Sequence, residues 1–128
     1  AEALLRTEHA DEAAELVTKV RERNFTEHPA KAIVTGEQLQ ETSCYDYGRR
    51  DNVKSTHDQA IIQYGRMLDE LGWEFSQEGR RRQDMVRFGV FSTRSWFSHD
   101  ASSKEKNLYP IPNSQILTNP NLKQNPGY

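Results

Sequence analysis

Apolar residues are scarce in this chain, at 34% of 128 residues against 28% that carry charge. So lean a balance suits a thin helical layer, or a piece of a larger body that supplies the missing cover. No run approaches the roughly 20 consecutive apolar residues a helix needs to cross a bilayer. A basic surplus is also missing. With a net charge of −2 and a pI near 6.1, neither nucleic acid nor an anionic membrane surface has an electrostatic handle. The single cysteine, Cys44, cannot close an internal disulfide and reads as a buried or idle thiol rather than a reactive one. Neither an initiator methionine nor a signal-peptide pattern stands at Ala1, so a processed or excised piece is expected, with any targeting segment outside it.

Motifs for chemistry are missing too. There is no glycine-rich phosphate loop, HExxH, CxxC pair or nucleophile elbow. His9, His28, His57 and His99 lie far apart, without a partner histidine at ligand spacing. The carboxylate pairs Asp69 with Glu70 and Glu74 with Glu78 fall on the polar side of a helical pattern, where solvated charge is the ordinary reading over acid–base catalysis. Asp46, Asp51 and Asn52 offer oxygens but lack the spacing of a helix-loop-helix calcium site. No metal, no cofactor and no catalysis is expected, and a hydrolase would need a convergent acid and base that the chain does not display.

What is present is helical. Ala1 to Asn24 reads as a hairpin of helices Ala1–Arg6 and Asp11–Arg23, the second with Ala13, Leu16, Val17 and Val20 on its inner face and charges that suit its dipole at both ends. Its texture is that of half a tetratricopeptide-type repeat, a unit that needs neighbours to bury its faces. The most periodic stretch runs from His57 to Phe91. It is expected as one long helix, opened by a capping box at Thr56 and Gln59, broken at Gly79 and stopped at Gly89. Ile61, Tyr64, Leu68, Leu71 and Phe75 form its apolar stripe, which leaves Gln63, Arg66, Asp69, Glu70 and Glu74 for water. At the break, Arg80, Arg81 and Arg82 are flanked by carboxylates. Internal pairing of Asp84 with Arg81 or Arg87 would fix the angle between the two parts, making these three a structural ion-pair joint.

Between hairpin and long helix, residues 35–55 form a long polar loop, with a short helix at about Glu37 to Glu41. Tyr45, Tyr47, Arg49 and Asn52 in it combine aromatic faces with guanidinium and amide groups, as sugar-binding surfaces do. The same tyrosines would equally serve by packing back on the long helix. Trp73 and Trp96 read as core or interface anchors ahead of ligand platforms, and Trp96 is kept as a further candidate ligand contact. The tail, residues 107–128, is extended by Pro110, Pro112, Pro120 and Pro126, with one helical turn allowed at Ser114 to Thr118. Leu108, Tyr109, Ile111, Ile116, Leu117 and Leu122 are the apolar anchors by which it would dock.

Three stretches, covering about half the chain and in the same order, resemble the C-terminal part of the RagB/SusD family of nutrient-uptake outer-membrane lipoproteins. LYPIPNSQILTNPNLKQNPGY at Leu108–Tyr128 looks like that family's ending, down to the final tyrosine. EGRRRQDMVRFGVF at Glu78–Phe91 is similar to its segment of glutamate, glycine, aromatic, two arginines, glutamine, aspartate, two aliphatics, arginine, phenylalanine and glycine. AEALLRTEHADEAAELVTKVRERN at Ala1–Asn24 looks like its late repeat-type hairpin. Leu71 and Trp73 stand where the family often has arginines and Arg80 where it has an aromatic, so the ion pairing at the break is expected to differ. The loop at 35–55 matches nothing in the family pattern, and no sugar-contacting residue carries over by motif.

The resemblance implies a mainly α fold: the C-terminal part of a tetratricopeptide-like helical superhelix, with long irregular loops and an extended proline-rich tail, in one unit over residues 1–128. It implies a non-catalytic protein that captures a glycan or oligosaccharide at the cell surface and hands it to a TonB-dependent outer-membrane transporter. Localisation would be the outer membrane, as a surface-exposed lipoprotein held by a lipid anchor outside this chain. The alternative is a helical protein–protein interaction scaffold without sugar binding.

Overall fold

The computed structural model describes residues 1–45, 49–50, 53–54, 60–95 and 99–128, and these are mainly helical. They divide into two compact units in place of the single unit expected. The first holds residues 1–46 and 60–88, the second 47–59 and 89–128.

In the first unit α1 (Glu2–Arg6) and α2 (Ala10–Glu22) form the hairpin, with Asp11 and Glu12 opening α2 and Lys19 and Arg21 closing it. The turn between them is held by Thr7, whose hydroxyl donates to the Ala3 carbonyl at 3.0 Å. The short helix expected at about Glu37 to Glu41 is α3 (Gly36–Gln40), built on a capping box. Thr35 Oγ1 accepts from the Gln38 N–H, and the Gln38 side chain accepts from the Thr35 N–H. The capping box expected at Thr56 and Gln59 lies outside the described residues.

The long helix is shorter than its periodicity suggests. It is α4 (Gly65–Glu74), followed after a break by α5 (Arg81–Arg87). Ile61, assigned to the inner stripe, is 81% exposed, while Ile62 is buried. The reason is a docking event at the helix start. The Arg66 N–H donates to the Glu41 carbonyl at 3.0 Å and the Ile62 N–H to Thr42 Oγ1 at 3.2 Å. Tyr64 turns left-handed (φ 55°) to bring the chain in. At Gly65 a Cβ would collide with the Ser43 backbone, so only glycine permits this approach.

Leu5, Ala13, Ala14, Val17, Val34, Leu39 and Met67 form the core, with Leu4, Tyr64, Leu71 and Phe88 packed around them. It is small because α2 uses alanines, which admit α1 and α3 closely. Met67, Leu68, Asp69 and Glu70 are all buried, and four consecutive residues span more than one helical turn. Every side of α4 is therefore covered there. The expectation that Asp69 and Glu70 face water is wrong: both carboxylates point into protein and are satisfied by it.

In the second unit β1 (Arg49–Arg50) and β2 (Val53–Lys54) pair antiparallel, Arg49 opposite Lys54. Val90, Ser92, Arg94 and Ser95 are buried. The Ser102 N–H donates to the Ser92 carbonyl at 2.8 Å, and the His99 ring lies 5.1 Å from that of Phe91. Beyond a short 3-10 turn at Lys104–Asn107, the tail contains one helix, α6 (Asn113–Thr118). Of its expected apolar anchors, Leu108, Tyr109 and Leu117 are exposed, and Ile111, Ile116 and Leu122 are half-buried. Polar groups close the tail on itself instead. The Gln124 amide both accepts from the Ile111 N–H (2.8 Å) and donates to the Ile111 carbonyl (2.9 Å), as a neighbouring strand would. Asn125 Nδ2 donates to the Tyr109 carbonyl at 2.7 Å and the Tyr128 hydroxyl to the Leu108 carbonyl at 2.9 Å.

Gly65→Ala is expected to lower the unfolding free energy by about 1–3 kcal/mol, since the added methyl meets backbone that cannot step aside. Urea denaturation of the variant checks this. An unchanged midpoint would mean that the contact with Ser43 is loose.

Candidate functional site

Asp69 is fully buried on α4. Its Oδ1 accepts from the Ser43 hydroxyl and its Oδ2 from the Cys44 N–H at 2.7 Å, while Ser43 Oγ accepts from the Tyr45 N–H at 3.0 Å. One carboxylate thereby organises three consecutive residues of a loop more than twenty positions away. Charge-assisted bonds of this kind are the stronger class.

The result is an aromatic pair. Tyr45 is brought against Trp73, one turn beyond Asp69 on α4, with ring centroids 6.1 Å apart and planes at 64°. The indole N–H donates to the phenol oxygen. Arg66 places its guanidinium 4.8 Å from the Trp73 centroid. Tyr45 and Trp73 nevertheless remain 50% and 41% exposed.

Beside the pair, ion pairs tie α4 to α2. Glu70 accepts from Arg21 Nη1 at 2.8 Å and lies 3.7 Å from Arg66 Nε. Arg21 also donates to the Lys31 and Ala32 carbonyls, which pins the segment that carries the buried Ala32 and Val34. Glu74 takes both its bonds from Arg23 Nη2. A groove of about 840 Å³ is lined by Leu16, Val17, Val20, Leu71, Trp73 and Phe75 together with Arg21, Arg66, Glu70 and Glu74. Leu16 and Val20, expected on the inner face of α2, are exposed in it.

Of the ligand contacts expected from sequence, Tyr45 is part of this site. Tyr47, Asn52 and Trp96 lie outside the described residues, as do Asp46, Asp51 and His57, and Arg49 is placed only by the backbone of β1. At the break between α4 and α5, Arg87 Nη2 stands 3.0 Å from Asp84 Oδ1 and also pairs with Glu2. Asp84 is buried in the first turn of α5. Arg81 reaches elsewhere, donating from Nη1 to the Leu68 carbonyl at 2.8 Å, across Gly72. Sequence reasoning put Asp69 on the wet side of the helix and read Trp73 first as an anchor, because their partners are distant in the chain. Among the described residues no group of three or more His, Cys, Asp or Glu could hold a metal ion.

Cys44 is exposed rather than buried. Desolvation, then the hydrogen bond to and charge of Asp69, push its thiol above the ordinary range, with Arg66 opposing. The thiolate is the nucleophile, so a raised pKa lowers the reactive fraction of this exposed thiol at neutral pH.

The family model described as SusD family matches residues 1–102 and 90–128. The chain belongs to the SusD family. A starch-binding protein of Bacteroides thetaiotaomicron is 41% identical over 70 residues, covering 48% of this chain. The chain corresponds to only 13% of that relative's length. No solved structure gives a significant match.

Alkylation of Cys44 by iodoacetamide near neutral pH is expected to run slower than that of an unstructured cysteine peptide and to accelerate in urea. Mass spectrometry measures both rates. A native rate equal to or above the peptide's would contradict the effect of Asp69 on the thiol.

Proposed function

We propose that this chain is the C-terminal part of a non-catalytic protein that captures a glycan at the cell surface and hands the oligosaccharide to a TonB-dependent outer-membrane transporter. The observation that carries this reading is family membership along the whole chain, joined to a relative whose name states that it binds starch. An exposed aromatic pair flanked by compensated charges supports it, because neutral polyols are held by ring faces and polar groups rather than by net charge. The protein would be an outer-membrane lipoprotein anchored through a segment outside these residues, and the helices of the first unit would continue a tetratricopeptide-like superhelix. The ion pairs of Glu70, Glu74 and Asp84 hold that scaffold together and perform no chemistry on the sugar.

The apolar lining of the groove favours a second reading, a helical scaffold that binds a protein partner. Affinity electrophoresis of the full-length protein through gels containing starch, plant, host and storage polysaccharides separates the two. Retardation by at least one polysaccharide, with the bound oligosaccharide recovered at unchanged length, is the expected result. Migration unaffected by every polysaccharide would overturn glycan capture, and shortened products would overturn its non-catalytic character.

A further inference from the structure

We propose that Trp73, with Tyr45 fixed against it, is a stacking site for one sugar ring of the bound oligosaccharide. The inference rests on the glycan-capture reading and assigns a contact within it. Trp73 is expected from sequence as a core or interface anchor, and the structure shows it 41% exposed in the last turn of α4. Arg66 lies over the indole at 4.8 Å and the Tyr45 ring meets it at 64°, yet 41% of Trp73 stays exposed. An indole face is electron-rich, and the C–H groups on one side of a pyranose ring carry the complementary positive edge.

Two further features suit this role. The bond from the indole N–H to the Tyr45 hydroxyl fixes the two rings, and Asp69 fixes the backbone that carries Tyr45, so little rotamer freedom remains to be lost on binding. The flanking charges favour a neutral ligand over an anion. Arg23 is paired with Glu74, and Arg66 lies beside Glu70 while stacked on the indole itself.

The test uses the full-length protein, with soluble starch, maltoheptaose and the polysaccharide panel above as probes. Trp73→Ala is expected to weaken affinity by about fivefold or more, and Tyr45→Phe, which keeps both rings but removes the hydroxyl anchor, by about twofold. Trp73→Phe, which keeps an aromatic face, is expected to restore much of what the alanine loses. Because Trp73→Ala also disturbs packing, N-bromosuccinimide oxidation of the unmodified protein, mapped by mass spectrometry, gives an independent reading. Saturating glycan should protect Trp73 from oxidation. If the unmodified protein binds a glycan but Trp73→Ala binds it equally, or Trp73 oxidises at the same rate with and without it, this assignment falls and glycan capture stands. If the unmodified protein binds no probe, both fall together.

Discussion

A single buried carboxylate sets the arrangement of the first unit's exposed surface. Asp69 has no counter-ion among its hydrogen-bond partners and is satisfied by a hydroxyl and a backbone N–H from one loop. A charge so enclosed is costly unless its bonds are made, so the loop at Ser43–Tyr45 is held firmly wherever α4 is folded. The aromatic pair follows from that grip. Gly65 lets the backbone come close enough, Tyr64 bends to allow it, and Tyr45 is delivered to Trp73.

A second carboxylate complements the small core. Glu70 gathers Arg21 and Arg66, and Arg21 in turn holds the carbonyls of Lys31 and Ala32. A chain with few apolar residues thus uses a shielded ion-pair network to position the segment that closes its core. Removing one partner would strand the others, so such networks act as units. The same economy leaves Leu16 and Val20 exposed on α2, over an apolar groove that its own unit does not fill. In the second unit, Gln124 and Asn125 take over a job that buried side chains would otherwise do, pairing with tail backbone as a strand would.

Whatever is decided by near neighbours was legible in the sequence. The helices of residues 1–24 follow from local periodicity and terminal charges, α6 from its bounding prolines, and the mainly helical class and the family from patterns spread along the chain. The start of α4 was not legible, because it is set by a loop twenty residues upstream. Asp69 and Glu70 were misassigned because a helical-period argument equates polar with wet, and fails where a polar side chain finds its partner inside. Trp73 was read as an anchor ahead of a ligand platform, because size and apolarity do not say how much of a ring is left exposed. Of the two arginines offered to Asp84, Arg87 stands 3.0 Å from it, while Arg81 donates to the Leu68 carbonyl, a difference that depends on the packing of α4 against α5.

The central claim is that Asp69 holds the Ser43–Tyr45 loop, and with it the aromatic pair. Amide hydrogen exchange of Cys44 and Tyr45, followed by NMR in the native chain and in Asp69→Asn, tests it most directly. Both amides are predicted to be protected in the native protein and to exchange much faster in the variant, while those of α2 keep their protection. Equal protection of Cys44 and Tyr45 in the two proteins would contradict the account.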